Sequence, residues 1–435
     1  MQPPVAAPHF PFMAKTGDLT WEKRSGHTRE ELRSESIRPL EISISFSKES
    51  TRSWKSCLMG KVIGFFADGL PFDGDTIHHR SLGGSESAVY YMARELQLLG
   101  YEVWVVSNCD QPGAYEGVRY VEKRDFKSLA LQTEFDVFIV SRFYSFFQVP
   151  FRSRLNILWN HDMLGNKFVL MKYLPRIQVL FNLSRFHVES YLAKIPELKP
   201  IMRQTRNGID PAAVNRAVLG RGKIRGKMIY ASRPERGLKV LLESIWPKLR
   251  STFPELELYI CGYEVDGQAI PERVKNLYSY LDGLIRESPG VHPLGTLSKK
   301  DYYLHLAESQ LMLYPCDFPE ISCIVALEAQ GLKTPIITTK GFALTETVGV
   351  QDWLVEGLPG SREYQDGFIG KVESLLTNSS FYDETAKLGY QWVMPRFTWP
   401  TIAREWSELF EEYLIGNSNP AHRGHWAGLN PAPTK

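Results

Sequence analysis

The run KVIGFFA at 61–67 is followed by a polar loop, a helical pattern at 83–100 and a second apolar run, YEVWVV at 101–106. Continuous apolar runs of this length are typical of strands that are buried on both faces of a parallel sheet. Between the two runs, apolar residues recur at helical spacing until Gly100 ends the pattern. The stretch therefore predicts a strand–helix–strand unit of a parallel α/β fold.

The same alternation continues along the chain and then restarts after a joint near 206–226. The restart, at 227–231, places Pro234 at the first position of the next helix. Two series predict two Rossmann-like, doubly wound domains that face each other across a cleft, with ligands bound beyond the carboxyl ends of the strands. The other predicted strands lie at 136–141, 155–159, 177–181, 256–261, 310–314 and 335–339, and later helices at 299–309 and 322–330.

This reading also divides the chain into domains. Residues 59–212 are expected to form the N-terminal domain and residues 213–398 the C-terminal domain. Residues 1–58 and 417–435 hold little that could form a core and are expected to be mobile tails. A helix with one apolar face is predicted at 399–416, where it either braces the two halves or packs on its own domain.

The charge balance and the cysteines exclude several classes of protein. With 51 Lys and Arg against 49 Asp and Glu, the 435-residue chain lacks the global basic excess of many DNA-binding proteins. Its five cysteines form no CxxC pair, which favours free thiols in a reducing compartment over disulfides or a zinc site. No apolar run reaches the roughly 18 residues of a membrane helix, and no signal-peptide pattern is present, so we expect a cytoplasmic protein without a transmembrane segment.

A glycine loop, Gly83-Gly84-Ser85-Glu86, joins the first strand to its helix. Glycines at a helix N-terminus let backbone amides approach a phosphate, whose charge the helix dipole favours. The alternative is an ordinary glycine turn with a serine N-cap. The spacing matches neither the GxGxxG of a dinucleotide site nor a P-loop.

Two arginines, Arg233 and Arg236, surround the predicted start of the first helix of the second series. The positive end of a helix dipole repels a guanidinium by about 0.3–1 kcal/mol unless an anion is present. The placement therefore suits a diphosphate held by both side chains. The alternative is a pair of solvated arginines, with Arg236 paired to Glu235 or Glu243.

Glu320 and Glu328 lie on either side of Ser322, the predicted N-cap, with Glu328 about two turns inside the helix. At a rise of about 1.5 Å per residue they are roughly 12 Å apart, too far for an acid/base pair on one bond. They could instead contact two ends of an extended ligand. The alternative leaves Glu320 solvated, whereas an unpaired Glu328 in its apolar run would be costly.

Asp73-Gly-Asp75 has the form of a metal-binding DxD, in which two carboxylates hold Mg²⁺ on a diphosphate. The residues that follow it favour an ordered loop at the rim of the cleft. On that interpretation no metal or other cofactor is required, because arginines and helix dipoles carry the charge of the diphosphate.

Between Arg142 and Arg185 there are seven basic residues, one acid (Asp162) and nine aromatics. One interpretation places the aromatics in the core and the cations on a solvated face. The other is an anionic partner, such as a lipid headgroup, a sugar phosphate or a nucleic acid. We adopt the second interpretation, an anionic partner, as our hypothesis.

Taken in order, these motifs resemble glycosyltransferase family 4 over about residues 59–415. The matching features are Gly-Gly-x-Glu after the first strand, Asn207-Gly-Ile-Asp210 at the joint, the Arg233/Arg236-Gly stretch, and Glu-x7-Glu before a Thr-Pro-Ile-Ile strand. The resemblance implies a GT-B fold and retaining transfer from a nucleotide sugar, with UDP as the expected nucleotide. One stretch departs from the family: its Gly-Arg-x-x-x-x-Lys-Gly appears here as the shorter Ser-Arg-Pro-Glu-Arg-Gly.

The resemblance also implies individual roles on the donor side. Glu320 would bind hydroxyls of the donor sugar and Glu328 the ribose. The two arginines would bind the diphosphate, with the Gly83–Gly84 loop closing on it from the other domain. The full set of implied donor-binding residues is Gly83, Gly84, Arg233, Arg236, Glu320, Ile321, Ser322 and Glu328.

On the acceptor side, His161 in Trp159-Asn-His-Asp162 resembles the family's active-site histidine beside the transferred sugar. Without the family, an isolated histidine at a strand end is more often structural. The other acceptor-side candidates are Glu86, Asn160 and Asp162. The C-terminal helix would cross back to the first domain and could set closure.

The sequence thus predicts a retaining hexosyltransferase that uses a nucleotide sugar. Three alternatives stay open: a nucleotide-sugar epimerase of the same fold, a Rossmann oxidoreductase, and a non-catalytic nucleotide-sugar-binding protein. The lack of GxGxxG counts against the oxidoreductase. The sequence indicates neither the sugar, the acceptor nor the oligomeric state.

Overall fold

The computed structural model describes residues 60–262 and 271–416, which belong to one compact unit. The tails predicted at 1–58 and 417–435 lie outside the described residues. Within the described ranges, two sheets follow one another along the chain, as the two series of apolar runs predict. No described helix is both long enough and apolar enough to cross a bilayer.

The first sheet has eight strands: β1 (Val62–Ala67), β2 (Glu102–Ser107), β3 (Gly113–Tyr115), β4 (Val118–Glu122), β5 (Glu134–Ser141), β6 (Arg152–Trp159), β7 (Val179–Asn182) and β8 (Met202–Gln204). Their order is β3-β4-β2-β1-β5-β6-β7-β8, and only the β3–β4 pair is antiparallel. The five strands that were expected from apolar runs are confirmed. The sequence does not predict β3, β4 and β8, which are short or half exposed.

The second sheet has six strands: β9 (Ile224–Ala231), β10 (Glu257–Cys261), β11 (Val291–Gly295), β12 (Ser309–Tyr314), β13 (Ile336–Thr339) and β14 (Leu354–Val355). All pairs are parallel, in the order β11-β10-β9-β12-β13-β14. This is the doubly wound order of a Rossmann sheet, in which the switch point lies between β9 and β12. The corresponding switch point of the first sheet lies between β1 and β5.

Helices cover the faces of both sheets and contribute their apolar sides to three buried clusters. The helices of the first half are Thr76–His79, Gly84–Leu98, Phe126–Gln132, Lys167–Tyr173, Arg185–Leu192 and Pro211–Val218. Those of the second half are Leu238–Val240, which continues through the π-helical Leu241–Ile245 into Trp246–Thr252, then Glu272–Glu287, Lys299–Glu308, Ile324–Gly331, Leu344–Thr347, Arg362–Thr377, Ser379–Val393 and Trp399–Gly416.

The first helix of the second half begins later than the sequence predicts. Pro234 lies in a turn, and the helix starts at Leu238. Gly237 precedes it with a φ of 104°, and a Cβ at this position would lie 2.0 Å from the carbonyl oxygen of Pro315. Glycine is required there for both reasons. Arg233 and Arg236 therefore belong to a loop ahead of the helix rather than to its first turn.

The C-terminal helix Trp399–Gly416 packs in the core of the first sheet, although it follows the second sheet in the chain. The indole Nε1 of Trp406 donates to Thr205 Oγ1 at 2.8 Å. The chain returns beside the point where it left: Ile209 N donates to Phe397 O at 2.9 Å, and Trp399 N donates to Ile209 O at 3.1 Å. Both connections between the two halves are thus adjacent.

Candidate active site

The glycine loop follows β1 at the switch point of the first sheet. Gly83 is the N-cap of the helix Gly84–Leu98, and no side chain caps that helix. The serine cap of the alternative interpretation is therefore wrong, and the first backbone amides of the helix remain available to a ligand. Gly84 is exposed, and a Cβ there would lie only 3.4 Å from Ile324 Cδ1 of the second half.

Glu86 supports this loop from within. Its side chain is buried, and its carboxylate accepts hydrogen bonds from Leu70 N at 3.3 Å and from Ser85 Oγ at 2.9 Å. A Cβ at Gly69 or Gly83 would lie 2.2–2.3 Å from the two carboxylate oxygens. The structure thus places Glu86 as a positioning residue under the glycines.

Arg142, at the end of β5, links the glycine loop to the loop after β6. Its guanidinium donates to both carboxylate oxygens of Asp162, at 2.7 and 3.1 Å, and to Ser85 Oγ at 3.3 Å. A bidentate pair of this kind fixes orientation as well as charge. Arg142 is not among the predicted site residues, although its basic, aromatic surroundings in the sequence single out this region.

His161 lies next to Asp162, and its ring centroid is 4.4 Å from that of Trp159. Burial, with Arg142 and His187 nearby, holds the pKa of His161 well below its ordinary value, so the imidazole is neutral at neutral pH. Its Nε2 is enclosed and has no hydrogen-bond partner among the described residues. A neutral imidazole with an unused ring nitrogen can accept or donate one hydrogen bond to a ligand.

The backbone around His161 is held by a second, fully buried histidine. His187 Nδ1 accepts from Leu183 N at 3.2 Å, so its Nε2 carries the proton and donates to Asp162 O at 2.9 Å. Burial lowers the pKa of His187 to about 4, which keeps this neutral tautomer. Asn160 is also buried and donates to Asn182 Oδ1 at 2.7 Å, so it supports the loop. Sequence reasoning missed His187, since an isolated histidine carries no signal.

Across the cleft, Arg236 and Glu320 form a pair. Arg236 Nη1 donates to Glu320 Oε1 at 2.9 Å, and Tyr314 OH donates to the same oxygen at 2.6 Å. Glu320 is only 6% exposed, so the alternative of a solvated Glu320 is wrong. The Arg236 guanidinium also lies 4.1 Å from the ring centroid of Phe318. The structure thus brings together two of the predicted donor-site residues.

Arg233 lies in the same loop with a different partner. Its Nε is 2.7 Å from Glu235 Oε1, and its carbonyl oxygen accepts from Tyr230 OH at 2.9 Å. The side chain is about one third exposed. The alternative in which Arg236 pairs with Glu235 is therefore wrong, because Glu235 pairs with Arg233.

The segment after Glu320 is tied to the joint between the two halves. Ser322 Oγ accepts from Asn207 N at 3.4 Å, and Ser322 O accepts from Asn207 Nδ2 at 3.3 Å. The sequence predicts Ser322 as the N-cap of the helix Ile324–Gly331, and this prediction is wrong. The N-cap is Cys323. Ile321 packs against the core that holds the C-terminal helix. The loop that carries Glu320 is thus fixed to both halves.

Glu328 lies about one turn inside this helix, not two, and is 1% exposed. Its Oε1 forms an ion pair with Lys299 and accepts from Tyr303 OH at 3.1 Å. Its Oε2 is buried without a hydrogen-bond partner in the part of the chain that the structure describes. The sequence does not predict Lys299 as a site residue, because a lysine beside Lys300 at the start of a helix is typical of a solvated position.

A small pocket of about 90 Å³ joins these elements, and we call it the glycine-loop pocket. Gly84 of the glycine loop lines one wall, and Lys299, Ile324 and Glu328 of the second half line the other. The loop and the second glutamate thus meet at one site, as the resemblance implies.

The Asp73–Asp75 segment forms a turn. Asp73 Oδ1 accepts from Asp75 N and Thr76 N at 3.0 Å and from Thr76 Oγ1 at 2.8 Å, and Asp75 pairs with His79. These bonds match the predicted ordered loop. Within residues 60–262 and 271–416, no group of three or more His, Cys, Asp or Glu side chains could hold a metal ion.

The aromatic residues after Arg142 divide into two groups. Phe146 and Phe147 are buried in a cluster below the first sheet, as the core interpretation predicts. The helix Lys167–Tyr173 instead exposes Phe168 (71%) and Met171 (44%).

Residues 225–378 match the family model of the group 1 glycosyl transferases. No curated protein matches the chain. The matched segment holds Arg233, Arg236, Glu320 and Glu328.

Solved structures extend the likeness to both halves. A glycosyltransferase from Rickettsia africae superposes with a TM-score of 0.63 at 15% identity, covering 82% of this chain and 99% of that one. Sucrose-phosphate synthase from Thermosynechococcus elongatus gives 0.62 at 13%, with 82% and 99% coverage. Anabaena HepE in complex with UDP-glucose gives 0.60 at 16%, with 81% and 99% coverage. The fold is that of the GT-B glycosyltransferases.

Proposed function

We propose that this protein is a glycosyltransferase that moves a sugar from a nucleoside-diphosphate sugar to an acceptor hydroxyl. The observation that carries the proposal is the buried Glu328 Oε2, which has no donor at the pocket below the glycine loop. An unsatisfied buried acceptor is costly, by about 1–3 kcal/mol or more, and a ribose hydroxyl would satisfy it. The match of residues 225–378 to group 1 glycosyl transferases supports this choice.

The other donor-side residues fit the remainder of such a ligand. In the proposal, Arg236 and Arg233 bind the diphosphate together with the amides of the Gly83–Gly84 loop. Glu320, with the backbone of Ile321 and Ser322, accepts from hydroxyls of the sugar. Fixed positive groups at a departing diphosphate stabilise charge where it develops, which is the electrostatic contribution that usually dominates. The complex of Anabaena HepE with UDP-glucose supports UDP and a hexose as the first donors to test.

The acceptor side would be the wall of the first sheet. The neutral His161 has a buried ring nitrogen without a partner among the described residues, and the next residue, Asp162, is held by Arg142. We place the acceptor hydroxyl near His161 and propose retention of anomeric configuration, as the family resemblance implies. Closure of the two halves would exclude water from this position.

We also propose that the acceptor is anionic. Lys167 and Lys172 are exposed on the helix Lys167–Tyr173, where each ammonium lies 5.4–5.6 Å from a neighbouring ring centroid. Added salt should raise the KM for an anionic acceptor severalfold between about 50 and 200 mM, since exposed charges are screened within roughly 10 Å. A KM that does not change with salt contradicts an anionic acceptor.

No metal is assigned a role in this proposal, because the arginines supply the charge at the diphosphate and the Asp73 carboxylate is engaged in its own turn. Turnover should survive treatment with EDTA.

We further propose a cytoplasmic location, since Cys109, Cys261, Cys316 and Cys323 are buried free thiols.

The proposal is tested by titrating the full chain with UDP, GDP and ADP in a calorimeter. One nucleotide should bind, and at 100 times its Kd it should stabilise the fold by about 2.7 kcal/mol. Glu328→Gln should weaken that nucleotide by roughly tenfold. The double variant Lys299→Met/Glu328→Gln, which leaves no buried unpaired charge, serves if the single variant does not fold.

Glu363→Gln, an exposed glutamate on another helix, is the matched control. Failure of all three nucleotides to bind, or an unchanged affinity in the double variant, contradicts the proposal. Analysis of products with the matching nucleotide sugar then separates transfer from epimerisation.

A further inference from the structure

A second cavity, of about 720 Å³, lies between the two halves and is lined by the helix Gly84–Leu98. The helices Pro211–Val218 and Lys299–Glu308 form other walls, and Pro400 of the C-terminal helix also lines it. We call it the interlobe cavity. Within this helix the lining begins at Tyr90, six residues and about 9 Å beyond Gly84, and none of residues 83–86 lines the cavity. Its volume lies within the range of about 300–1,000 Å³ that suits small-molecule ligands.

Much of the lining is apolar or aromatic. The buried rings of Tyr90, Tyr91 and Tyr303 contribute to the wall, together with Leu304 and Ala217. The Arg94 guanidinium lies 5.2 Å from the ring centroid of Tyr91 and is held by Glu95. A flat or aliphatic body could therefore bury its surface here without displacing a polar group.

The cations of the lining outnumber its carboxylates, with five Lys or Arg and three Asp or Glu. Two of the five, Lys299 and Arg221, pair with Glu328 and Glu308 outside the lining. Each carboxylate already has a partner in the protein: Glu95 pairs with Arg94, Glu116 accepts from Tyr90 OH at 2.8 Å, and Asp210 accepts from Ala212 N at 2.9 Å.

Two of the cations have no such partner. Arg216 and Lys300 are exposed and form no ion pair with any residue in the described ranges. Because they come from two different helices, Pro211–Val218 and Lys299–Glu308, they can approach one anion from two directions. A single anionic group on the ligand matches this surplus.

Lys299 connects the interlobe cavity with the glycine-loop pocket, since it lines both. Its ammonium forms the ion pair with Glu328 described above. An anion in the interlobe cavity offers Lys299 an alternative partner, which would leave Tyr303 as the remaining partner of Glu328 and make the carboxylate more available to a nucleotide. The walls also come from both halves, so a ligand that fills the cavity favours the arrangement of halves seen here.

We propose that the interlobe cavity binds an amphipathic phosphate ester, an apolar or aromatic body that carries one phosphate group. Through Lys299 its occupancy raises nucleotide affinity at Glu328; this second part rests on the proposed function. Coupling of this kind is reciprocal, so nucleotide raises the affinity of the cavity ligand by the same factor.

The test titrates the full chain with phenyl phosphate, in the presence and absence of saturating UDP, with phenol and inorganic phosphate as partial probes. Phenyl phosphate should bind once per chain with UDP present, with a Kd below about 10 mM, and more tightly than either partial probe. Arg216→Ala/Lys300→Ala should weaken it by roughly tenfold, because both charged contacts are lost. Lys387→Ala/Arg404→Ala removes two exposed cations from helices whose cations do not line the cavity and should have no effect.

No binding below about 10 mM, simple competition with UDP, or equal affinity in both double variants overturns the site. UDP affinity that is unchanged by saturating phenyl phosphate overturns the coupling. The titration without UDP tests the cavity even if no nucleotide binds, so failure of the proposed function and failure of this inference are distinguishable.

Discussion

Arg236 and Glu320 form an ion pair that their separate positions in the sequence do not predict. The Arg236–Glu320 pair joins residues 84 positions apart, and each is predicted separately as a donor contact. In the structure each is also the other's partner. A ligand that binds here must therefore fit a preformed pair rather than recruit two independent charges.

Removal of Arg236 tests this pair. Arg236→Ala should lower kcat by roughly 100-fold or more, because charge on the departing diphosphate loses its donor. The free energy of unfolding should fall by only about 1–2 kcal/mol, since the arginine is partly exposed and Tyr314 still donates to Glu320. Steady-state kinetics and urea denaturation measure the two effects. Arg404→Ala on the C-terminal helix is the control, and a variant that unfolds with its specific activity intact contradicts the role.

The buried His187 should make stability depend on pH. The unfolded chain binds a proton at this side chain near pH 6.5, and the folded protein only near pH 4. Between these values the unfolded state binds more protons, so the free energy of unfolding should fall as the pH is lowered, by up to roughly 3 kcal/mol.

His187→Gln should flatten this dependence. Urea denaturation at pH 7 and pH 4.5 gives the difference. Burial, the largest cause of the lowered pKa of His161, is retained in both proteins, so that part of the His161 contribution cancels. Parallel pH profiles for the two proteins would exclude His187 as the source.

Among the secondary-structure elements, those buried on both faces were predictable and those at the edges were not. β1, β5, β9 and β12 could be predicted from apolar runs in the sequence because both faces of each strand are buried. β11 was missed because three of its five residues, His292, Pro293 and Gly295, are exposed. The predicted starts of two helices, at Pro234 and Ser322, are wrong for another reason. At each position the local sequence favours a helix start, but tertiary contacts favour another conformation. Ser322, for example, accepts a hydrogen bond from Asn207 instead of capping the helix.

The C-terminal helix is a structural part of the first half, and Trp406 is its main contact. The indole is 2% exposed, lies 4.7 Å from Trp159 and 4.6 Å from Phe181 between ring centroids, and donates to Thr205. Trp406→Ala should cost about 3–5 kcal/mol in free energy of unfolding. Leu388→Ala, at an exposed position, should cost less than about 0.5 kcal/mol. A loss below about 1 kcal/mol for Trp406→Ala would mean that the helix is dispensable.

At the scale of the whole molecule, a carboxylate holds the two halves together near the cleft. Glu346, after β13, accepts from Arg185 N and Phe186 N at 2.8 Å, the first amides of a helix after β7. A carboxylate at a helix N-terminus is favoured by the dipole as well as by the hydrogen bonds. The contact therefore stabilises the arrangement in which the two walls meet.

Glu346→Gln should loosen this arrangement, because the amide carries no charge and its nitrogen cannot accept. The expected loss of about 1 kcal/mol corresponds to a roughly fivefold higher KM for the donor. Hydrogen exchange at the amides of Arg185 and Phe186 should accelerate, while Glu363→Gln leaves both unchanged. Unaltered exchange at these amides would show that the contact does not hold the halves.

The route of the polypeptide has a consequence for how the protein is made. The first half cannot complete its core until Trp399–Gly416 has been synthesised, whereas the second sheet is contiguous in the chain. On the ribosome, the first half must therefore wait with an apolar groove uncovered until the second sheet and this helix have been translated.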